Sequence, residues 1–143
     1  MSRYLVVTHQ TALSPALQRQ VKALVAEDPA AEFAVLVPEA PGMTHTWEGQ
    51  TVGEPKERAE AAKTLLEETA GARVIRTATG PQDPLQAIAD ELRMQPGYDA
   101  LVICTLPPGI SRWLKLDLLH RAERKFGLRV IHVVADAPSP ARH

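Results

Sequence analysis

Short apolar runs alternate with longer amphipathic stretches along the chain. The runs are rich in Val, Ile and Leu and show little polar alternation, which is typical of strands covered on both faces of a parallel sheet. Five strands are predicted, at residues 4–8, 33–37, 72–78, 98–106 and 128–135.

The stretches between these runs carry apolar residues at helical spacing, and proline or glycine marks their ends. Ser14 followed by Pro15 is an N-cap followed by a residue suited to the first helical turn. Helices are predicted from Pro15 to the stop at Asp28, from Pro55 to Gly71, from Pro84 onward, and over residues 110–126. Residues 39–53 are predicted to form a long loop.

Five strands alternating with four helices predict an α/β fold: a doubly wound, open, mostly parallel five-stranded sheet with helices on both faces. We expect one domain over residues 1–137 and a disordered tail over 138–143, which contains two prolines. In such sheets, ligands bind beyond the carboxyl ends of the strands where the strand order reverses. The ends of the first and fourth strands are therefore the first place to look for a site.

Composition narrows the function classes. The 143 residues are 45% apolar and 23% charged, as in ordinary globular domains, and the net charge is −1. This charge provides no field to attract nucleic acid or an anionic membrane. No apolar run approaches the about 18 residues of a membrane span. We expect a cytoplasmic protein without a signal peptide, in which the single cysteine, Cys104, is buried in the fourth strand.

Three sequence features, taken in order, carry a family resemblance. The stretch TATGPQDPLQAIADEL leaves the third strand and opens a helix, and YDALVICTL is followed by a loop and LLHRAER. With the order of elements, these features resemble the universal stress proteins. The resemblance implies a strand order of 3-2-1-4-5 and a homodimer that pairs through the last strand. The interface residues it implies here are Val130, His132 and Val133.

The phosphate loop departs from that of the ATP-binding members, which is Gly-x-x-Gly, a nine-residue gap, then Gly-Ser or Gly-Thr. Anchoring the alignment on LLHRAER leaves only Gly109 in place, with Leu106, Leu119 and His120 at the other three positions. Branched side chains there block the backbone N–H groups that hold phosphate. His9 also replaces the family's adenine-side aspartate, and Pro38, at the adenine-side valine, has no N–H to donate.

Candidate ligand-binding residues follow from these positions. Thr8, His9 and Gln10 are expected to line a pocket facing Thr105, or else to form a polar loop that caps the first helix. Ser111 and Arg112 form an anion site at a helix start, or else a cap and a solvated side chain. The full candidate set is Thr8, His9, Gln10, Pro38, Thr105, Gly109, Ser111, Arg112 and His120.

No catalytic arrangement is found: there is no Ser/His/Asp order, paired carboxylate or Walker-type Gly-Lys-Ser, so no enzyme is predicted. His45 and Glu48 are weak evidence for a metal, and none is predicted. Mixed charges on the fourth helix argue against nucleic acid.

The resemblance implies a stress-response regulatory binding module that does not bind ATP tightly. The alternative is a nucleotide switch, with or without slow hydrolysis, that binds ATP or AMP at a phosphate site rebuilt from Gly109, Ser111, Arg112 and His120. An interaction domain related to a larger transporter rests on analogy of fold alone.

Overall fold

The computed structural model of this chain describes residues 2–8, 14–38, 55–81, 83–105 and 117–135. Strands and helices alternate throughout these residues, as the apolar pattern predicts. The elements are β1 Arg3–Val7, α1 Pro15–Glu27, β2 Glu32–Pro38, α2 Pro55–Ala70, β3 Arg73–Gly80, α3 Pro84–Met94, β4 Ala100–Thr105, α4 Leu118–Phe126 and β5 Arg129–Val134.

The five strands form one sheet in the order β3-β2-β1-β4-β5, and every neighbouring pair is parallel. The predicted fold class and strand order are confirmed. The order reverses between β1 and β4, which pair with Val7 opposite Ile103 near their carboxyl ends. The switch point of the sheet therefore lies between these two strands.

Two apolar layers cover the sheet, one on each face. The first layer joins α1 and α2 to the sheet through Leu17, Val21 and Leu66, all fully buried. The second joins α3 and α4 to the opposite face through Ile88, Leu118 and their neighbours. Burial of both sheet faces explains why the strands read as continuous apolar runs.

The predicted helix starts are accurate where a cap fixes them. The Ser14 hydroxyl accepts a hydrogen bond from the Ala16 N–H at 3.1 Å, and the Asp83 carboxylate accepts one from the Leu85 N–H at 3.0 Å. Each cap satisfies an N–H that would otherwise lack a partner, and a proline follows it in the first turn. The local sequence alone determines where α1 and α3 begin.

The fourth helix differs from the prediction, because the structure does not contain one continuous helix over residues 110–126. α4 begins at Leu118, and Asp117 before it has left-handed backbone angles, with φ of 58° and ψ of 40°. That conformation cannot continue a right-handed helix. Asp117 is therefore the residue at the N-cap position, and its carboxylate contacts His120 Nδ1 at 3.1 Å.

Two predicted segments, the loop at 39–53 and the tail at 138–143, lie outside the described residues. Among the helices that are described, none is long and apolar enough to cross a membrane. Cys104 is buried in β4, as predicted.

Candidate functional site

Two threonines lie where β1 and β4 end, and both are almost completely buried. The Thr8 N–H donates to the Leu36 carbonyl at 3.1 Å, which extends the β1–β2 pairing by one residue. The Thr105 hydroxyl lies 2.9 Å from His132 Nε2 on β5. Both side chains are thus embedded in the end of the sheet rather than standing free above it.

Strand alternation directs these two threonines to opposite faces. Val7 and Ile103 belong to the second layer, whereas Val6 and Cys104 belong to the first. Because successive side chains alternate, Thr8 follows the first layer and Thr105 the second. The predicted arrangement, with Thr8 facing Thr105 across a crevice, therefore does not follow from the sheet geometry.

Pro38 ends β2, where it is buried and pairs in register with Gly80 of β3. As predicted, a position at the carboxyl end of the sheet has no N–H to offer a ligand. The remaining candidates near the switch point, namely His9, Gln10, Gly109, Ser111 and Arg112, lie outside the described residues.

The first turn of α4 is the part of the phosphate-loop region that the structure describes. Leu118 is fully buried, and Leu119 packs, partly buried, against the second layer. The His120 side chain is 77% exposed and the Asp117 carboxyl group 60% exposed, and the two are paired. The first turn of α4 therefore presents a packed leucine and a solvent-facing histidine beside a carboxylate.

The residues predicted for a dimer interface lie on β5. Val133 is 5% exposed and belongs to the first layer, while Val130 packs, partly buried, against the second. The His132 ring contacts Thr105, and burial lowers the pKa of this histidine. The exposed large apolar side chain of β5 is instead Val134, at 39%.

A buried polar network that the sequence analysis missed lies between β3 and α3. The Arg76 guanidinium makes two hydrogen bonds to Glu91, from Nε at 2.7 Å and from Nη2 at 3.0 Å. The Tyr98 hydroxyl donates to the same carboxylate at 2.8 Å. Glu91 is 4% exposed, and burial, with the bond to Glu91, holds the pKa of Tyr98 well above its usual range.

An irregularity in β3 directs Arg76 into this network. Phe33 pairs with Val74, but the next residue, Ala34, pairs with Arg76, so Ile75 is an extra residue in β3. This extra residue shifts the alternation of side chains by one. Val74 consequently packs in the first layer, whereas Arg76 lies on the α3 side. Bulges of this kind often re-aim a side chain at a binding site.

A cavity of about 350 Å³ follows this edge of the sheet between α2 and α3. Its wall contains charged, hydroxyl and small apolar side chains in a single groove. The lining residues are Lys56, Ala59, Arg76, Thr77, Ala78, Thr79, Ala87, Asp90, Glu91 and Met94. The volume is in the range of small-ligand pockets.

The sequence does contain a sign of this network. Glu91 follows Ile88 by three residues and Pro84 by seven, so it lies on the apolar face of α3. A glutamate is almost never fully buried without a partner. Its position on that face therefore predicts a buried ion pair, and Arg73 and Arg76 of the preceding strand are candidate partners.

No protein-family model matches this sequence, and no curated protein matches it at a significant level. Solved structures do. A universal stress protein in complex with cAMP is 14% identical with a TM-score of 0.59, covering 94% of this chain and 98% of that chain. The universal stress protein from Archaeoglobus fulgidus is 18% identical with a TM-score of 0.58, covering 93% of each chain. The chain has the universal stress protein fold.

The match covers nearly the whole of this chain and of each of the two solved structures, so the predicted resemblance is confirmed for the fold. At these identities it does not transfer a ligand or a residue role. Across the described part of the chain, no group of three or more His, Cys, Asp or Glu side chains is arranged to hold a metal ion.

Proposed function

We propose that this chain is a regulatory binding module of the universal stress type that does not hold ATP tightly. The observation that carries the proposal is the first turn of α4, where Asp117, Leu119 and His120 occupy the region in which ATP-binding members place glycine and a hydroxyl. The single cysteine, which is buried, is consistent with a module that works in the cytoplasm.

The electrostatics of that turn oppose a polyphosphate. A helix N-terminus attracts anions through its unpaired N–H groups and the positive end of its dipole. Asp117 adds a carboxylate at this end, and its side chain makes no capping hydrogen bond. A triphosphate approaching the turn would meet this negative charge and the branched side chain of Leu119.

A nucleotide of lower charge is the alternative ligand. One structural neighbour is a universal stress protein in complex with cAMP, and cAMP carries a single phosphate charge. The same repulsion at Asp117 acts on it less strongly. We therefore expect affinity to rise from ATP to AMP to cAMP as the phosphate charge falls, and cAMP is the nucleotide to test first.

The test is a thermal-shift titration with these three nucleotides, with and without Mg²⁺. A ligand at about 100 times its dissociation constant stabilises the native state by roughly 2.7 kcal/mol, or very roughly 5–10 °C for a domain of this size. We expect no such shift with ATP at millimolar concentration. A shift of that size with ATP would overturn the proposal.

A charge variant isolates the cause. Asp117→Asn removes the carboxylate but keeps its shape, and we expect it to strengthen whatever nucleotide binding the wild type has. Glu123→Gln is the matched control, because Glu123 is an exposed acid on the same helix. If neither variant changes nucleotide binding, the charge of Asp117 does not weaken that binding.

We further propose that the protein is a homodimer that pairs through the outer edge of β5. An unpaired edge with an exposed Val134 is prone to association, and a two-fold contact would cover it. Since the side chain of Val133 lies in the core, a substitution there would mainly report on folding. Val134→Lys should instead give a monomer by light scattering, with Ile75→Lys on the opposite edge as the control that leaves the dimer intact.

A further inference from the structure

The outer edge of β3 has the features of a peptide-binding groove. Among the described residues, β3 pairs only with β2, so the backbone groups on its other side have no strand partner. The strand is eight residues long, and consecutive residues from Arg76 to Thr79 line the cavity. α2 forms one wall of the groove and α3 the other.

Apolar surface is exposed at the same place. Ile75 on the strand is 45% exposed, and Met94, which lines the cavity, is 66% exposed. These are two of the three large apolar side chains exposed in the described residues, the third being Val134 on the far edge. Met94 thus adds exposed apolar surface to the cavity, and Ile75 adds it to the strand that the cavity follows.

The charges along this edge are unbalanced. The acids each have a partner: Glu60 accepts from Thr77, Asp90 from Arg93 and Gln86, and Glu91 from Arg76 and Tyr98. Lys56 and Arg73 are exposed, and no ion pair is found for either among the described residues. Among the residues that the structure describes, the unpaired charge of this edge is therefore positive.

These cations stand toward opposite ends of the groove. Arg73 begins β3, and Lys56 lies in the first turn of α2, which lines the cavity beside the carboxyl half of β3. The seven residues from Arg73 to Thr79 span about 20 Å at the usual rise per residue. An extended segment of about seven residues would reach both cations.

We propose that the outer edge of β3 binds an extended, acidic-ended peptide segment of a partner protein, which adds to the sheet as a sixth strand. Main-chain hydrogen bonds to β3 hold the segment, and one apolar side chain enters the cavity between α2 and α3. Acidic residues at its two ends pair with Arg73 and Lys56. The Tyr98–Glu91–Arg76 network fixes the cavity wall against which the segment packs.

A second copy of this chain is a poorer occupant. Pairing β3 with another β3 would bring like charges together, because both edges carry free cations. Like-charge juxtaposition across an interface is unfavourable. An acidic segment satisfies the charges, the backbone groups and the apolar surface at once.

The probe is a capped seven-residue peptide of alternating valine and threonine with an aspartate at each end, titrated into the isotope-labelled full chain. We expect amide shifts at residues 73–80 and affinity that falls with added salt. The same peptide with lysine ends, or with a central proline, should bind at least about tenfold more weakly.

Two pairs of variants locate the binding. Lys56→Glu with Arg73→Glu should weaken the aspartate peptide about tenfold or more, whereas Lys22→Glu with Arg124→Glu, two exposed cations elsewhere, should change affinity by less than about twofold. Thr79→Phe fills the groove from an exposed position and should abolish binding. Thr79→Val keeps the shape of the side chain and should preserve peptide binding. The comparison shows whether Thr79→Phe acts by filling the groove or by removing a hydroxyl group.

Several outcomes would overturn the proposal. They are no amide shifts at millimolar peptide, shifts confined to β5 or to the ends of β1 and β4, or equal binding by all four variants. Self-association of the wild type that Thr79→Phe abolishes would identify a second copy as the occupant and overturn it as well.

Discussion

The two edges of the sheet are built differently although both belong to one parallel fold. The β3 edge is eight residues long, contains an extra residue at Ile75, and rests on the buried Arg76–Glu91–Tyr98 network. The β5 edge is six residues long and pairs with β4 without interruption. A polar side-chain contact joins His132 of this edge to Thr105 of β4.

This difference fits the two different partners proposed above for these edges. A regular, short edge with one exposed valine suits a symmetric copy of itself, since identical strands pair without special chemistry. A bulged edge with free cations and a cavity resists indiscriminate strand pairing and selects by charge and side chain. Specificity at β3 therefore depends on the network that holds its side chains, and this network is the first part to perturb.

Removing Glu91 should have the largest effect. Glu91→Ala leaves the Tyr98 hydroxyl and the Arg76 guanidinium without their buried acceptor. Breaking a buried ion pair costs about 3–5 kcal/mol, and because the Arg76 side chain is 30% exposed we expect about 2–3 kcal/mol here. Urea unfolding monitored by circular dichroism would measure it.

The matched control for that variant is Asp90→Ala, one residue earlier on α3. Asp90 bonds to the exposed Arg93, so its loss should cost less than about 1 kcal/mol. Replacing the pair together, as Arg76→Met with Glu91→Leu, should recover part of the stability. Equal losses for Glu91→Ala and Asp90→Ala would show that the network does not stabilise this edge.

Crowding between β3 and α3 should give the next largest effect. A Cβ added at Gly80 would lie 2.6 Å from the Cβ of Ala87, which is closer than real contacts allow. Because α3 must then move away from the strand, Gly80→Ala should destabilise the fold by about 1–3 kcal/mol. The same unfolding assay applies.

Adding Ala87→Gly to Gly80→Ala should restore part of the loss, less the cost of about 1 kcal/mol for a glycine inside a helix. Restoration would show that the contact with α3, and not the backbone of β3, requires glycine at position 80. An additive loss in the double variant would contradict this account.

The strands and most helix starts could be predicted from the sequence because their signs are local, whereas the strand order came from the family resemblance. Ser14, Asp83 and the prolines after them fix helix starts, and the apolar runs fix strands whose two faces are both covered. The predicted start of the fourth helix was wrong because the apolar and charged residues of 110–126 are compatible with a helix throughout. Asp117 has left-handed backbone angles although it is not a glycine, so the sequence gives no sign that the helix begins after it.

The site was less predictable, because side-chain networks depend on register. The extra residue at Ile75 directs Arg76 toward Glu91. The local sequence RVIRTATG contains no feature that predicts this extra residue. Similarly, alternation directs Thr8 and Thr105 to opposite faces, which only the paired strands reveal. The predicted ligand residues His9, Gln10, Gly109, Ser111 and Arg112 remain predictions.

High pH should weaken the β3 edge selectively. The pKa of Tyr98 is raised in the folded state, whereas the unfolded tyrosine ionises near pH 10. Stability is thus fully present well below pH 10 and is lost as pH rises, by about 1 kcal/mol between pH 10 and 11. Tyr98→Phe should lower stability at neutral pH but remove this part of the pH dependence. An unchanged slope between pH 10 and 11 in the variant would contradict the assignment.

Low pH should act on the β5 edge, and more weakly. Burial lowers the pKa of His132 in the folded state, so the unfolded chain takes up its proton first, near pH 6.5. Stability is present above that pH and falls as pH decreases toward the folded pKa. Because the residue is only partly buried and solvent screens its charge, we expect stability to fall by less than about 0.5 kcal/mol between pH 7 and 5. Unfolding curves of His132→Gln should show the smaller slope, with His120→Gln, an exposed histidine on α4, as the control. A reduced slope in His120→Gln alone would assign the pH dependence to the end of the sheet near α4 and not to its β5 edge.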